Sequence, residues 1–137
     1  MIRMVDHQAD IAVEIEAAGR KELFEEAVTA LITLLMGTAD TGDEETRTLC
    51  LKAGGYDDEE LLVGLLSELL FQSQTLRWGP KSVVSVDFPD SQSVEAQIVA
   101  WPERGGEHLA REIKAVTYHG MKIESSDRWR VKIVFDV

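Results

Sequence analysis

Only one cysteine stands among 137 residues, so Cys50 has no internal partner for a disulfide, which suits a reducing compartment. No apolar run reaches the length of a membrane span, and no signal-peptide pattern opens the chain, so a cytoplasmic protein away from membranes is expected. Basic residues are also scarce. Fourteen Lys and Arg face 25 Asp and Glu, leaving a net charge of -11. A field of that sign repels phosphate backbones and argues against tight unaided binding of nucleic acid. It favours cations and basic protein surfaces instead, although much of the charge is explained by solubility alone. There is no glycine-rich phosphate loop, no dinucleotide fingerprint, no paired-cysteine zinc spacing and no serine nucleophile elbow. The three histidines, His7, His108 and His119, are spread along the chain and mark no acid–base site, and the carboxylates are too numerous for a catalytic pair to stand out.

What is present is the patterning of a folded globule. Hydrophobic residues make up 45% of the chain, and its length suits one ordinary domain over residues 1–137 with a core of its own. Ile11, Val13 and Ile15 alternate with Ala12 and Glu14, as in a strand with one covered face. Residues 20–36 repeat apolar side chains at helical spacing, from Leu23 and Phe24 to Leu34 and Leu35, and Gly37 is a natural stop. After a polar stretch over 38–45, Thr46 to Ala53 alternates again and ends at Gly54-Gly55; Cys50 there reads as an inert strand residue. Asp57 with Glu60 three residues on is a helix-start pattern, and Leu61, Leu62, Leu65, Leu66, Leu69 and Leu70 continue it to about residue 74. Gly64 inside that helix costs about 1 kcal/mol relative to alanine, which points to close packing there.

Ser82 to Phe88 and Val94 to Trp101 read as a hairpin around Pro89-Asp90. Pro102 to Gly106 reads as a loop, and a last strand runs from Trp129 to Phe135, with Trp129, Val131, Ile133 and Phe135 on one face. Strand, helix, strand, helix and then several strands make an α+β fold with two main helices packed on one side of a single, mainly antiparallel sheet.

Taken alone, Asp10 reads as a turn-capping carboxylate at the entry to a buried strand. His7 and Asp10 lie three residues apart and, in an extended chain, face opposite ways. A second oxygen donor brought to Asp10 by the fold would change that reading.

Four ordered stretches resemble one family. Asp6-His7-Gln8-Ala9-Asp10-Ile11 is similar to a D-H-T-A-D-I opening, with Gln8 in place of threonine. Leu61 to Phe71 resembles an L-L-x-x-W-L-N-E-L-L-Y helix, with Leu65 for tryptophan and Ser67 for asparagine. Lys114-Ala115-Val116-Thr117-Tyr118-His119 matches K-A-V-T-Y-H throughout, and Trp129 to Val137 is similar to a W-x-x-x-x-x-x-D-[IVL] ending. The family is archease, and the likeness covers essentially the whole chain. Ala12 stands where the family commonly has glycine, so the backbone there does not need a positive φ. The stretch before Lys114, with Gly105-Gly106-Glu107-His108, is shorter and poorer in aspartate than the family's.

This resemblance implies a non-enzymatic accessory protein of an RtcB-type RNA ligase in tRNA splicing. Such a protein promotes guanylylation of the ligase and allows its repeated turnover. It also implies a divalent-cation site, calcium foremost, with magnesium or manganese as the other candidates. Carried over by motif, the ligands are Asp10, Asp136 and Val137, the last through a main-chain or terminal oxygen. Lys114, His7 and His119 become candidate partner contacts. Hard cations take oxygen ligands of this kind, and a cation would relieve the repulsion among them. Two other classes stand beside this reading. One is a general folding chaperone, which needs exposed apolar surface. The other is a small metal-dependent hydrolase built on Asp10, Asp136 and His119, which lacks a recognisable nucleophile.

Overall fold

A computed structural model of the chain describes residues 1–6, 10–37, 45–76, 78–102 and 111–137. The element order is β1 (Ile2–Asp6), β2 (Asp10–Ala17), α1 (Arg20–Met36), β3 (Arg47–Gly54), α2 (Asp58–Thr75), β4 (Gly79–Asp87), β5 (Ser93–Trp101), β6 (Ala115–Thr117), β7 (Glu124–Ser125) and β8 (Trp129–Asp136).

Both helices form where the apolar spacing predicts. Asp57 caps α2, its side chain accepting a hydrogen bond from the Glu60 N–H at 2.8 Å. The Glu60 carboxylate reaches back to the Tyr56 N–H at 3.2 Å, one residue earlier than a standard capping box. Gly37 ends α1 with φ 69°, a left-handed value that a side chain would oppose, and its N–H donates to the Thr33 carbonyl at 2.8 Å. Arg20, at the start of α1, links both helices to the chain just after β4: its guanidinium pairs with Asp58 of α2 at 2.6 Å and lies 3.7 Å from the centre of the Phe88 ring. Phe88 in turn meets Phe24 edge-on, with ring centres 5.0 Å apart.

The strands pair antiparallel throughout, but in two sheets rather than the one expected. The first has the order β1-β2-β8-β6, with β7 also on β8; the second is β3-β5-β4. Two sheets can join only through their edge strands, and neither β1 nor β6 of the first pairs with β3 or β4 of the second among the described residues. Each helix touches both sheets: α1 packs on β2 and β8 of the first and β4 of the second, and α2 on β6 of the first and β3 and β5 of the second. This explains the wide apolar stripe of α1, which buries Ala30, Ile32 and Met36 besides the face begun by Leu23 and Phe24. The residues expected at the centre, Leu31, Leu35, Leu62, Leu66 and Leu69 from the helices and Ile11, Val13, Ile133 and Phe135 from the strands, are all buried in one continuous core.

β1 is a strand that sequence patterning missed. The hairpin over 82–101 is present but longer, and an Asx contact from the Gln92 N–H to Asp90 at 2.8 Å shapes its turn. Cys50 is an exposed residue on β3. The expected loops over 38–44 and 103–106 fall outside the described residues, as do His7, His108 and the Gln8 position.

Gly64 has the close neighbour its cost implied. A Cβ there would lie 3.1 Å from the Ala53 Cβ on β3, tighter than ordinary van der Waals contact. Gly64→Leu should therefore lower folding stability by about 1–3 kcal/mol through overpacking, despite the better helix propensity of leucine. Urea denaturation measures this, and an unchanged midpoint would show that α2 and β3 are not in tight contact.

Candidate functional site

The β2–β8 ladder places the candidate ligands. It runs in unbroken register from Asp10↔Asp136 through Ile11↔Phe135, Ala12↔Val134, Val13↔Ile133, Glu14↔Lys132 and Ile15↔Val131 to Ala17↔Trp129. Ile11, Val13, Ile15 and Ala17 are buried toward the helices, opposite Phe135, Ile133, Val131 and Trp129. Directly opposed residues share a face, so Asp10 and Asp136 lie together on the other side of the sheet. Ala12 occupies an ordinary ladder position between Val5 and Val134, which agrees with the expectation that glycine's freedom is not needed there.

The charges on that outer face form a pattern. Glu14 stands opposite Lys132 and also pairs with Arg3 at 3.2 Å. Glu16 stands opposite Arg130 and takes ion pairs from Arg128 at 2.7 Å and Arg130 at 3.5 Å. Asp10↔Asp136 is the like-charged position of the ladder, an arrangement that destabilises a sheet unless something offsets it. Neither carboxylate has an ion-pair partner among the described residues. Asp10 is half-buried, whereas Asp136 and Val137 are exposed.

The third strand closes on the same point. Ala115 pairs with Asp136, and the Lys114 N–H donates to the Asp136 carbonyl at 2.7 Å. Asp136 is thus held as the last residue of a strand paired on both sides, not as a fraying chain end. Lys114 is its immediate neighbour, with its side chain exposed and no ion pair to Asp10 among the described residues. The donors suit a hard cation: two carboxylates face each other, with main-chain or terminal oxygen of Val137 adjoining. No cluster of three or more His, Cys, Asp or Glu side chains is formed among the described residues, so main-chain oxygen or water would have to complete the shell.

His119 is not brought to this point. β6 runs away from Asp136, with Thr117 opposite Val134, and His119 lies two residues further on in an exposed turn. No metal-holding group of three His, Cys, Asp or Glu forms among the described residues, so Asp10, Asp136 and His119 do not assemble as a metal-binding triad. Sequence reasoning also passed over Tyr56 and Tyr118, which are 83% and 48% exposed. The signal available for Tyr118 was its place inside the matched K-A-V-T-Y-H stretch.

Comparison with known proteins agrees over the full length. The model of the Archease protein family (MTH1598/TM1083) matches residues 3–137. A protein archease of Archaeoglobus fulgidus is 33% identical over 137 residues, covering 96% of this chain and 95% of that protein. One from Methanosarcina acetivorans is 30% identical over 140 residues, covering 97% and 93%. Among solved structures, the solution structure of Methanobacterium thermoautotrophicum protein 1598 is similar with a TM-score of 0.68 at 26% identity, covering 99% of this chain and 98% of that one. A Thermotoga maritima structure described as an archease, possible chaperone, is similar in fold with a TM-score of 0.62 at 24% identity, covering 100% and 98%. Matched by its family model almost from end to end, the chain belongs to the archease family.

Proposed function

We propose that this chain is a non-catalytic activator of an RtcB-type RNA ligase in tRNA splicing, working in the cytoplasm through a divalent-cation site at Asp10 and Asp136. The observation that carries the reading is the like-charged pair itself. On a face where Glu14 and Glu16 stand opposite Lys132 and Arg130, the fold sets one aspartate against another and leaves the position open to solvent. Asp10, Asp136 and an oxygen of Val137 would hold the ion, with calcium favoured over magnesium or manganese because a shell of mixed, exposed oxygens suits its flexible coordination. The bound ion would neutralise the opposed carboxylates and present a Lewis-acidic centre at the sheet end. Lys114 anchors β6 beside Asp136 through its main chain and offers its exposed ammonium to the partner. His7 and His119 are further candidate partner contacts, His119 from an exposed turn away from the ion.

Multiple-turnover ligation by an RtcB-type ligase, with and without this protein, is the experiment. The parent should convert the ligase from about one turnover to many. Asp10→Ala and Asp136→Ala should each abolish that support. Lys114→Ala should reduce it while leaving thermal stability nearly unchanged, because its side chain is exposed and only its main chain bonds Asp136. Equal activation by Asp10→Ala would reduce the site to a structural one, and equal activation by Lys114→Ala would return that residue to a solvated strand end.

One observation favours a second reading, as a folding chaperone. Beside the exposed Ile2 and Met4 of β1 lies a groove of about 420 Å³ whose wall is formed by Ala30, Thr33 and Leu34 of α1. Exposed apolar surface is what client capture requires. Suppression of aggregation of unrelated unfolded clients would support it, and a lack of suppression at equimolar protein would remove it.

A further inference from the structure

The two tyrosines of the chain, Tyr56 and Tyr118, are both exposed, and hydrogen bonds tie the segments that carry them to the start of α2. Tyr56 immediately precedes the cap of α2 and is fixed there by the bond from its N–H to Glu60. Tyr118 opens the turn that follows β6, closed by the Met121 N–H on the Tyr118 carbonyl at 3.1 Å. That turn is tied to the same helix start, because the Ile123 N–H donates to the Glu59 carboxylate at 3.0 Å. Both rings therefore sit on backbone already ordered by hydrogen bonds, which lowers the entropic cost of binding anything against them.

The first turn of α2 carries Asp57, Asp58, Glu59 and Glu60. Capping and the helix dipole account for acidic residues there. They do not account for two solvent-facing phenol rings among them. Arg20 neutralises Asp58, and Asp57, Glu59 and Glu60 have no ion pair among the described residues. Their field is felt at Tyr118. Partial desolvation first, then the charges of Asp57, Glu60 and Glu59, hold the Tyr118 phenol above its ordinary value.

We propose that Tyr56 and Tyr118, flanked by the acidic start of α2, form a docking surface for a Lys- and Arg-rich segment of a protein partner. Aromatic faces attract cations, and the surrounding carboxylates supply the second half of the recognition. The same charges exclude a nucleic-acid backbone as the occupant. A ligase that holds RNA must itself present cationic surface to phosphates, so it supplies the matching chemistry. The surface rests on the ligase reading for the identity of its partner and on its own residues for the rest.

The test titrates an RtcB-type ligase onto the parent, Tyr56→Ala, Tyr118→Ala and the double variant by calorimetry. Octa-arginine and octa-aspartate peptides are separate probes, read by the NMR signals of the two rings. The double variant should bind the ligase at least about tenfold more weakly, as loss of aromatic anchors does. Binding by the parent should also weaken as salt rises from about 50 to about 300 mM. Octa-arginine should shift both ring signals and octa-aspartate neither. All three variants should keep the rise in melting temperature on adding calcium, which reports on Asp10 and Asp136 and so separates this surface from that site. Ring shifts with octa-arginine but no ligase binding by the parent would retain the surface and refute the ligase as its partner. Ligase binding by the double variant within about twofold of the parent, or tyrosine signals unmoved by octa-arginine, would overturn the proposal.

Discussion

The β2–β8 ladder is the interaction on which the rest depends. It joins a strand near the start of the chain to the last one, and its eight paired positions fix two things at once. Ile11, Val13, Ile15, Val131, Ile133 and Phe135 are turned toward the helices, where they complete the core. Asp10 and Asp136 are turned the other way and set against each other. A slip of one residue would exchange the faces and move every one of these side chains, so the apolar alternation that stabilises the core also enforces the aspartate pair.

The two sheets and two helices serve that arrangement differently. β6 pairs with the far edge of β8 and, through the Lys114 N–H, secures the main chain at Asp136. α2 runs beside β6: the Gln74 side chain reaches the Ile113 carbonyl at 2.8 Å, and Glu59, near its other end, holds Ile123. The helix thereby connects the strand entering the aspartate site to the segments that carry Tyr56 and Tyr118. The three-stranded sheet lies against both helices; its tight contact is Ala53 against Gly64. The end of the first sheet is thus paired on both sides of β8 at Asp136, whose side chain is exposed.

Local chemistry was legible in the sequence, and pairing was not. The helices could be read from leucine spacing, their ends from Gly37 and from Asp57 with Glu60, and the faces of β2 and β8 from strict alternation. β1 went unread because Ile2-Arg3-Met4-Val5-Asp6 is short and its apolar Ile2 and Met4 remain partly exposed, so it lacks the signature of a covered strand. The division into two sheets was invisible because it depends on whether the edge strands β1, β6, β3 and β4 pair with one another, a long-range choice that no local pattern records. The same holds for the site. Asp10 alone looks like a turn residue and Asp136 like a chain end; their apposition is a property of register. Family resemblance named both residues, and the ladder sets them opposite each other. The hydrolytic use of His119 fails on the same ground, since the fold gathers no metal-holding trio of His, Cys, Asp or Glu among the described residues.

Melting of the parent during a calcium titration tests most directly that Asp10 and Asp136 form one cation site. An ion bound only by the folded state should raise stability by about 2.7 kcal/mol at a hundredfold excess over its Kd. Asp10→Ala and Asp136→Ala should each remove that gain, and the double variant should lose little more than either, because the two residues serve one site. A melting temperature unmoved by calcium, magnesium and manganese would contradict the account.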